Sequence, residues 1–490
     1  MLRKIRIVSA AVFFICITLL FLDFTGTLHA WLGWMAKIQF LPAVLAVNTF
    51  VVAGLLLVTI LFGRIYCSVI CPLGVMQDMI SWFNGKLKKK NQFRFRYRKE
   101  RKWLRYGFLV IFIAALALGA HSAAILIAPY SAYGRIASNI LAPMYQWGNN
   151  FFAWIAERAG SYAFYSTDVW IKSLPTFIVA AITLVVLFIF AWKGGRAYCN
   201  TVCPVGTILG FFSRRSIFVP VIDTEKCRNC GLCGRRCKSS CIDMKNHEID
   251  YSRCVVCLDC IDTCKEGAIS YRNRYATRPE PQKTDSGRRA FFISSLMVGT
   301  AATAEAGRKK IVPFARESRK HDRQTPLVPA GSSSVKNFKD HCTACQLCVS
   351  ACPNNVLRPS SSFEDFMQPE MAFDKGYCRP ECTKCSEVCP AGAIRPVSIE
   401  EKSSIQTGHA VIDLDLCVVN TDGVSCGNCA RHCPAGAVRL VRKDPENPGS
   451  PMIPVVNEDR CIGCGACEHL CPARPLRAIR IEGHEIHRIL

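Results

Sequence analysis

Acidic side chains are the scarce class in this 490-residue sequence: 37 Asp and Glu stand against 61 Lys and Arg, a formal net charge of +24. A surplus of that size invites a nucleic-acid partner, but its placement excludes one. Residues 86–105 hold eleven basic side chains against Glu100 alone, and residues 272–323 hold thirteen against five acidic ones. Both blocks border apolar or signal-like sequence, where basic residues set the orientation of membrane spans. Also missing are a nucleophile, an acid–base pair or a molybdenum site, so no terminal substrate reaction is assigned to this chain. No DNA-binding or kinase-like module is present either.

Four long apolar runs are present: Ile7 to Leu22, Leu41 to Phe62, Tyr106 to Ala128 and Thr176 to Trp192. Each is close to the ~20 residues that cross a bilayer as a helix. Arg3, Lys4 and Arg6 precede the first run and the 86–105 block joins the second to the third, which orients both toward the cytoplasm. Pro129 to Pro175 has three basic residues and many aromatics, and is expected as an outer interfacial segment. Asp23 and His29, between the first two runs, are the polar groups best placed to accept protons there.

Gly63-Arg64-Ile65-Tyr66-Cys67 through Cys71-Pro72-Leu73-Gly74 recurs as Gly195-Arg196-Ala197-Tyr198-Cys199 through Cys203-Pro204-Val205-Gly206. The duplication predicts two related hairpins whose prolines break the helix near the cytoplasmic face. Cys67, Cys71, Cys199 and Cys203 are then either packed, reduced thiols or the ligands of one further metal centre. Cys16, alone in the first run, is read as packing.

Thirty cysteines exceed what packing explains. Cys227, Cys230, Cys233, Cys237 and Cys254, Cys257, Cys260, Cys264 repeat the bacterial ferredoxin run, in which the fourth Cys of each run ligates the other cluster. That rule groups Cys227, Cys230, Cys233 with Cys264, and Cys254, Cys257, Cys260 with Cys237. Zinc sites usually space two separated Cys pairs and fit poorly. Lys238 and Lys265 stand where Pro is usual, and Cys241 is an extra thiol. Four more quartets follow: Cys342, Cys345, Cys348, Cys352; Cys378, Cys382, Cys385, Cys389; Cys417, Cys426, Cys429, Cys433; and Cys461, Cys464, Cys467, Cys471. Each ends in Cys-Pro. The six quartets imply six [4Fe-4S] clusters and assembly in a reducing compartment.

Between the two sets, Arg288 and Arg289 precede a short apolar run ending at Ala304-Glu305-Ala306, the layout of a twin-arginine export signal. A domain that gains its clusters in the cytoplasm has to cross already folded, which suits that route. The expected architecture is an α-helical membrane domain of four spans, with room for a fifth at the signal-like segment, plus α+β ferredoxin-like iron–sulfur domains. Its parts are residues 1–215 (membrane), 216–275 (two clusters), 276–334 (linker) and 335–490 (four clusters).

The doubled Gly-Arg-x-Tyr-Cys-x3-Cys-Pro, the four spans and the ferredoxin segment after them resemble the NapH type of membrane quinol dehydrogenase subunit, which also includes the membrane part of NosR-like proteins. That resemblance covers roughly residues 1–275. Residues 335–480 are similar to the NapG type and to the four-cluster electron-transfer subunits of molybdenum oxidoreductases. The chain therefore looks like a fusion of the two. The resemblance implies oxidation of menaquinol or ubiquinol in the cytoplasmic membrane, with Asp23 and His29 as quinol-site candidates. It implies delivery through clusters to a periplasmic c-type cytochrome or reductase, from a cytoplasmic first ferredoxin domain and a periplasmic four-cluster domain. It further implies that outer runs pair with each other and inner runs likewise, Cys471 completing the first run, Cys352 the fourth, and Cys389 and Cys433 exchanging between the middle two. The rival from another class is an assembly or redox-sensing factor for a periplasmic metalloenzyme.

Overall fold

The run at the start of the chain forms the helix Leu2–Leu22, and the run before the second Gly-Arg motif forms Leu174–Gly194. The structure is a computed structural model and describes residues 1–23, 26–87, 95–161, 163–275 and 323–490. Arg288, Arg289 and the signal-like segment lie outside the described residues. Each long helix has 21 residues, about 30 Å at the α-helical rise. Among the described residues these two are long and apolar enough to cross a membrane.

The other two expected spans are each broken. Leu41 to Phe62 divides at Val47, in the left-handed region with φ 53°, into Phe40–Leu45 and Thr49–Phe62. Asn48 Oδ1 caps the second piece by accepting from Val51 N at 3.2 Å. Tyr106 to Ala128 falls within Lys102–Ala117 and His121–Ile127, which part near Gly119 with φ 74°. The longer pieces have 14 and 16 residues, short of a ~20-residue span. The expected interfacial segment also divides: all eight residues of Pro129–Ile136 are buried, whereas Ala142–Arg158 turns Trp147, Phe151 and Trp154 outward.

Both Cys-x3-Cys-Pro motifs re-enter the bundle instead of ending at its face. Gly63, φ 74°, turns the chain so tightly against the first ferredoxin part that an added Cβ would lie 2.8 Å from Val256. Ile65–Val69 then runs inward, where the Tyr66 hydroxyl donates to Gln39 Oε1 at 2.9 Å and accepts from Phe40 N at 3.1 Å. Pro72 opens Pro72–Leu87, which runs back out to bond Trp192 O through Asn84. A proline at a helix start costs no hydrogen bond, because that N–H has no intrahelical partner. The second copy repeats the path with Ala197–Thr201 and Pro204–Ser213.

The ferredoxin parts are α+β, as expected. Phe218–Ile222 pairs antiparallel with Ile269–Asn273 in the first; in the second, Ile405–Ile412 pairs with Ile479–Ile489 and Val438–Arg442 with Met452–Val456. The two parts pack at opposite ends of the long helices. At the start of Leu2–Leu22, Arg3 binds Asp259 at 2.8 Å and Asp262 at 2.6 Å, so this residue is paired with the first ferredoxin part. Just after Leu174–Gly194, Arg196 N donates to Lys238 O at 2.9 Å. At the other ends, Lys172 Nζ donates to Val349 O at 2.9 Å, and Gly134, beside Phe21, leaves no room for a Cβ against Cys345 O. Ser138 with Ser350 (2.9 Å), Asn139 with Gln346 (2.7 Å) and His121 with Asp340 (3.2 Å) extend that contact.

The C-terminal sheet has a built-in acid sensitivity. Both ring nitrogens of His487 are buried without a hydrogen-bond partner. Burial, with His484 nearby, holds its pKa down to about 4 from an ordinary 6.5. The unfolded chain therefore binds the extra proton between those values. This contribution is complete above about pH 6.5 and is lost as pH falls toward 4, on the order of 2 kcal/mol after allowance for partial exposure. Amide exchange around Arg488 and Ile489 is expected to speed up over that window beyond its intrinsic pH dependence, and His487→Gln is expected to abolish the excess.

Candidate iron–sulfur centres

The four runs with Cys-x2-Cys-x2-Cys spacing share one backbone device. The residues on either side of the middle Cys are left-handed: Asn229 and Gly231, Val256 and Leu258, Ala344 and Gln346, Gly463 and Gly465. Such pairs curl successive N–H groups toward one point and make the concavity in which anionic clusters sit. Val256 is β-branched and pays a steric cost in that region, a strain concentrated at the site it forms. Further N–H groups reach sulfur directly, Ala344 N to Cys342 at 3.4 Å, Val356 N to Cys352 at 3.4 Å and Ala437 N to Cys433 at 3.2 Å.

The first pair groups as the spacing predicts. Cys227, Cys230, Cys233 and Cys264 line one cavity, and Cys237 lies with Cys254, Cys257 and Cys260. Cys241, fully buried, sits 3.5 Å from Cys237 Sγ and beside Cys254, so the second set has five thiols at hand.

The last four runs group differently from the outer-with-outer expectation. Cys389 lies among Cys342, Cys345 and Cys348, and Cys352 shares a cavity with Cys378, Cys382 and Cys385. Likewise Cys471 lies with Cys417, Cys426 and Cys429, and Cys433 with Cys461, Cys464 and Cys467. Runs adjacent in sequence thus exchange their fourth cysteines, because the short helices Leu347–Ala351 and Lys384–Val388 pack together, as do Asn428–Arg431 and Ala466–Leu470.

These sets fit tetranuclear clusters. Among the described residues no three His, Cys, Asp or Glu side chains close to the spacing of a single ion, and a cubane of iron and sulfide is larger than one ion. Burial pushes the Cys345 thiol up to about 11 and that of Cys464 to about 12, so ligation has to displace a proton from each. Lys402, buried, donates to Arg379 O at 2.6 Å and to Cys382 O and places a positive charge beside the Cys378 set.

A further four thiols meet inside the bundle. Cys67, Cys71, Cys199 and Cys203 are each 4–5% exposed and lie close enough to interact. The two motif arginines cross over. Arg196 Nη1 donates to Cys67 O at 2.7 Å and lies 3.9 Å from Cys199 Sγ; Arg64 Nη2 donates to Cys199 O at 3.1 Å and lies 3.8 Å from Cys67 Sγ. A Cβ on Gly74 or Gly206 would collide with these carbonyls and guanidiniums, which accounts for the glycine in both copies. Asp78 binds Arg196 through both oxygens, at 2.9 and 2.8 Å, and also meets Arg6 at 3.0 Å and Lys238 at 3.6 Å. Lys238, one of the two lysines in place of proline, is thus a docking residue. Nothing in the sequence pattern marked Asp78.

Asp23 and His29 come together as well. His29 is 8% exposed, its Nδ1 lies 3.2 Å from Asp23 Oδ2, and its Nε2 is buried without a partner. Burial lowers its pKa against the opposing pull of Asp23, and Lys384 lowers it further. This pair lies at the end of the bundle that carries the four-quartet part, where an added Cβ on Gly26 would lie 3.4 Å from Lys384.

Cysteine loops of this geometry, with thiols grouped in fours, define an iron–sulfur electron-transfer protein. Sequence comparison agrees: residues 45–90 and 175–221 match a 4Fe-4S binding domain family, and residues 341–393 and 424–474 a 4Fe-4S dicluster domain family. The chain is similar to ferredoxin-type proteins named NapH and MauN and to the electron transport protein YccM. It is 26% identical to the ferredoxin-type protein NapH of Haemophilus influenzae over 44% of this chain and 64% of that one. It is 24% identical to the putative electron transport protein YccM of Escherichia coli over 46% and 55%, and 31% identical to the methylamine utilization ferredoxin-type protein MauM of Methylobacillus flagellatus over 28% and 61%. The chain thus spans less than two thirds of each of these relatives. No solved structure matches.

Proposed function

We propose that the chain oxidises a membrane quinol, menaquinol or ubiquinol, and passes the electrons singly through its clusters to an acceptor outside the cytoplasm, a c-type cytochrome or a reductase. The observation that carries this reading is the placement of the two ferredoxin parts at opposite ends of one apolar helix bundle, with the buried Asp23–His29 pair at one end. Quinol oxidation releases two electrons and two protons. His29 Nε2, buried without a partner, is the base for one quinol hydroxyl, and Asp23, which holds the ring through Nδ1, takes the second proton. The clusters, when bound, supply one-electron storage; Cys227 to Cys264 and Cys342 to Cys471 hold them. Residues 276–334 link the two parts, and the first is assigned to the cytoplasm and the second to the periplasm.

The test is reduction of the clusters by a short-chain menaquinol analogue in anaerobic membranes, followed by paramagnetic resonance. His29→Gln is expected to slow reduction by quinol about a hundredfold while dithionite still reduces every cluster. No reduction by quinol in the unaltered chain would favour an assembly or redox-sensing role. Protease added to spheroplasts is expected to cleave within residues 335–490; cleavage only after lysis would place that part inside.

A further inference from the structure

We infer that Cys67, Cys71, Cys199 and Cys203 ligate a seventh iron–sulfur cluster, set inside the helix bundle between the two ferredoxin parts. The inference rests on the electron-transfer reading above and adds a centre to it.

Four packed, neutral thiols do not explain the surroundings. Donors point at the sulfurs from several sides: Gln77 Nε2 at 3.3 Å from Cys199, Gly206 N at 3.3 Å from Cys203, and the two arginines. Cys203 caps Pro204–Ser213, where the positive end of a helix favours a thiolate. Arg64 supplies the independent observation. It is fully buried, its oxygen partners are Asn200 Oδ1 at 2.8 Å, Ser252 O at 3.1 Å and Cys199 O, and no carboxylate is among them. A buried guanidinium without a counter-anion is strongly unfavourable. Its counterpart Arg196 has Asp78; Arg64 has only the thiol side. A cluster held by four thiolates is a net anion and completes the balance, which four protonated thiols do not.

Among the described residues no three thiols, imidazoles or carboxylates form a single-ion set, neither in these four nor in the six ferredoxin quartets. The position gives the centre a task. On one side Cys199 leads through Arg196 and Asp78 to Lys238, beside Cys257. On the other, the Tyr198 hydroxyl donates to Ile127 O at 2.7 Å, and the helix that follows, Pro129–Ile136, abuts Cys345. Leu2–Leu22 and Leu174–Gly194 are each about 30 Å long, and a span of that length is not crossed in one electron step. A cluster bound by these four cysteines would supply one-electron storage between the two cluster sets, with no proton transferred.

Native mass spectrometry of the full chain, purified anaerobically in detergent, tests this. Seven cluster increments, about 28 irons for tetranuclear clusters, are expected; a binuclear centre would show as two irons fewer. Six increments alone, or six with zinc, would overturn the inference. The double variant Cys67→Ser, Cys203→Ser is expected to lose one increment and its Mössbauer component while the other six remain. If that variant does not accumulate, the count on the unaltered chain still decides. Seven clusters that quinol does not reduce would sink the quinol reading and leave this one; six clusters that quinol reduces would do the reverse.

Discussion

Combining Cys345→Ala with Cys389→Ala is expected to remove no more iron than either change alone, whereas combining Cys345→Ala with Cys471→Ala is expected to remove two clusters' worth. The reasoning is that of a double-mutant cycle: ligands of one cluster are not independent, and ligands of different clusters are. In the structure Cys389 stands with Cys342, Cys345 and Cys348, and Cys471 with Cys417, Cys426 and Cys429. Pairing of outer runs with each other predicts the opposite, since Cys471 would then share the cluster of Cys345. The effect is about four irons in the count, with loss of a whole resonance signal, so it is large against any error in iron analysis. Fourth cysteines exchanged between neighbouring runs also make each half of residues 335–490 a unit, in keeping with the two dicluster segments at 341–393 and 424–474.

The cysteine quartets were legible in the sequence because a cubane needs three thiolates within a few residues, and the spacing writes that locally. Partnership between runs was not, because nothing in a run specifies which helix will pack on Leu347–Ala351. The same divide holds in the bundle. The duplication of Gly-Arg-x-Tyr-Cys-x3-Cys-Pro was plain, but hydropathy could not tell a helix end from a chain that re-enters, since both are apolar up to the glycine. Val47 and Gly119 break two apolar runs by left-handed backbone, which average hydropathy does not register. Lys238 looked like a departure from the ferredoxin pattern. In three dimensions its ammonium lies 3.0 Å from Asp259 and 3.6 Å from Asp78, and its carbonyl accepts from Arg196, so it joins ferredoxin to bundle. Asp23 and His29 were both picked out by the sequence as polar groups between apolar runs, but their direct contact, across six positions, is visible only in the fold.

Asp78→Asn is expected to cause the largest loss of stability of any single near-isosteric change in the bundle. Asp78 is 8% exposed and carries the negative charge at the meeting point of Arg6, Arg196 and Lys238. Neutralising it leaves those cations buried, Arg196 completely, and removing one partner from a buried ion pair costs roughly 3–5 kcal/mol. The damage would spread in two directions. Lys238 loses one of its two carboxylates, which loosens the first ferredoxin part, and Arg196 loses the clamp that aims it at Cys67 O and Cys199 Sγ. Thermal unfolding in detergent should therefore show a lowered midpoint together with new protease sensitivity in residues 216–275. Asp78→Glu, which keeps the charge, should recover part of the loss. The exposed pair Arg228–Glu266, at 3.3 Å with side chains 77% and 37% exposed, provides the contrast: its removal is expected to cost less than about 1 kcal/mol. An Asp78→Asn chain as stable as the Glu266→Gln chain would mean that the cations at the foot of the bundle are balanced by something other than this carboxylate.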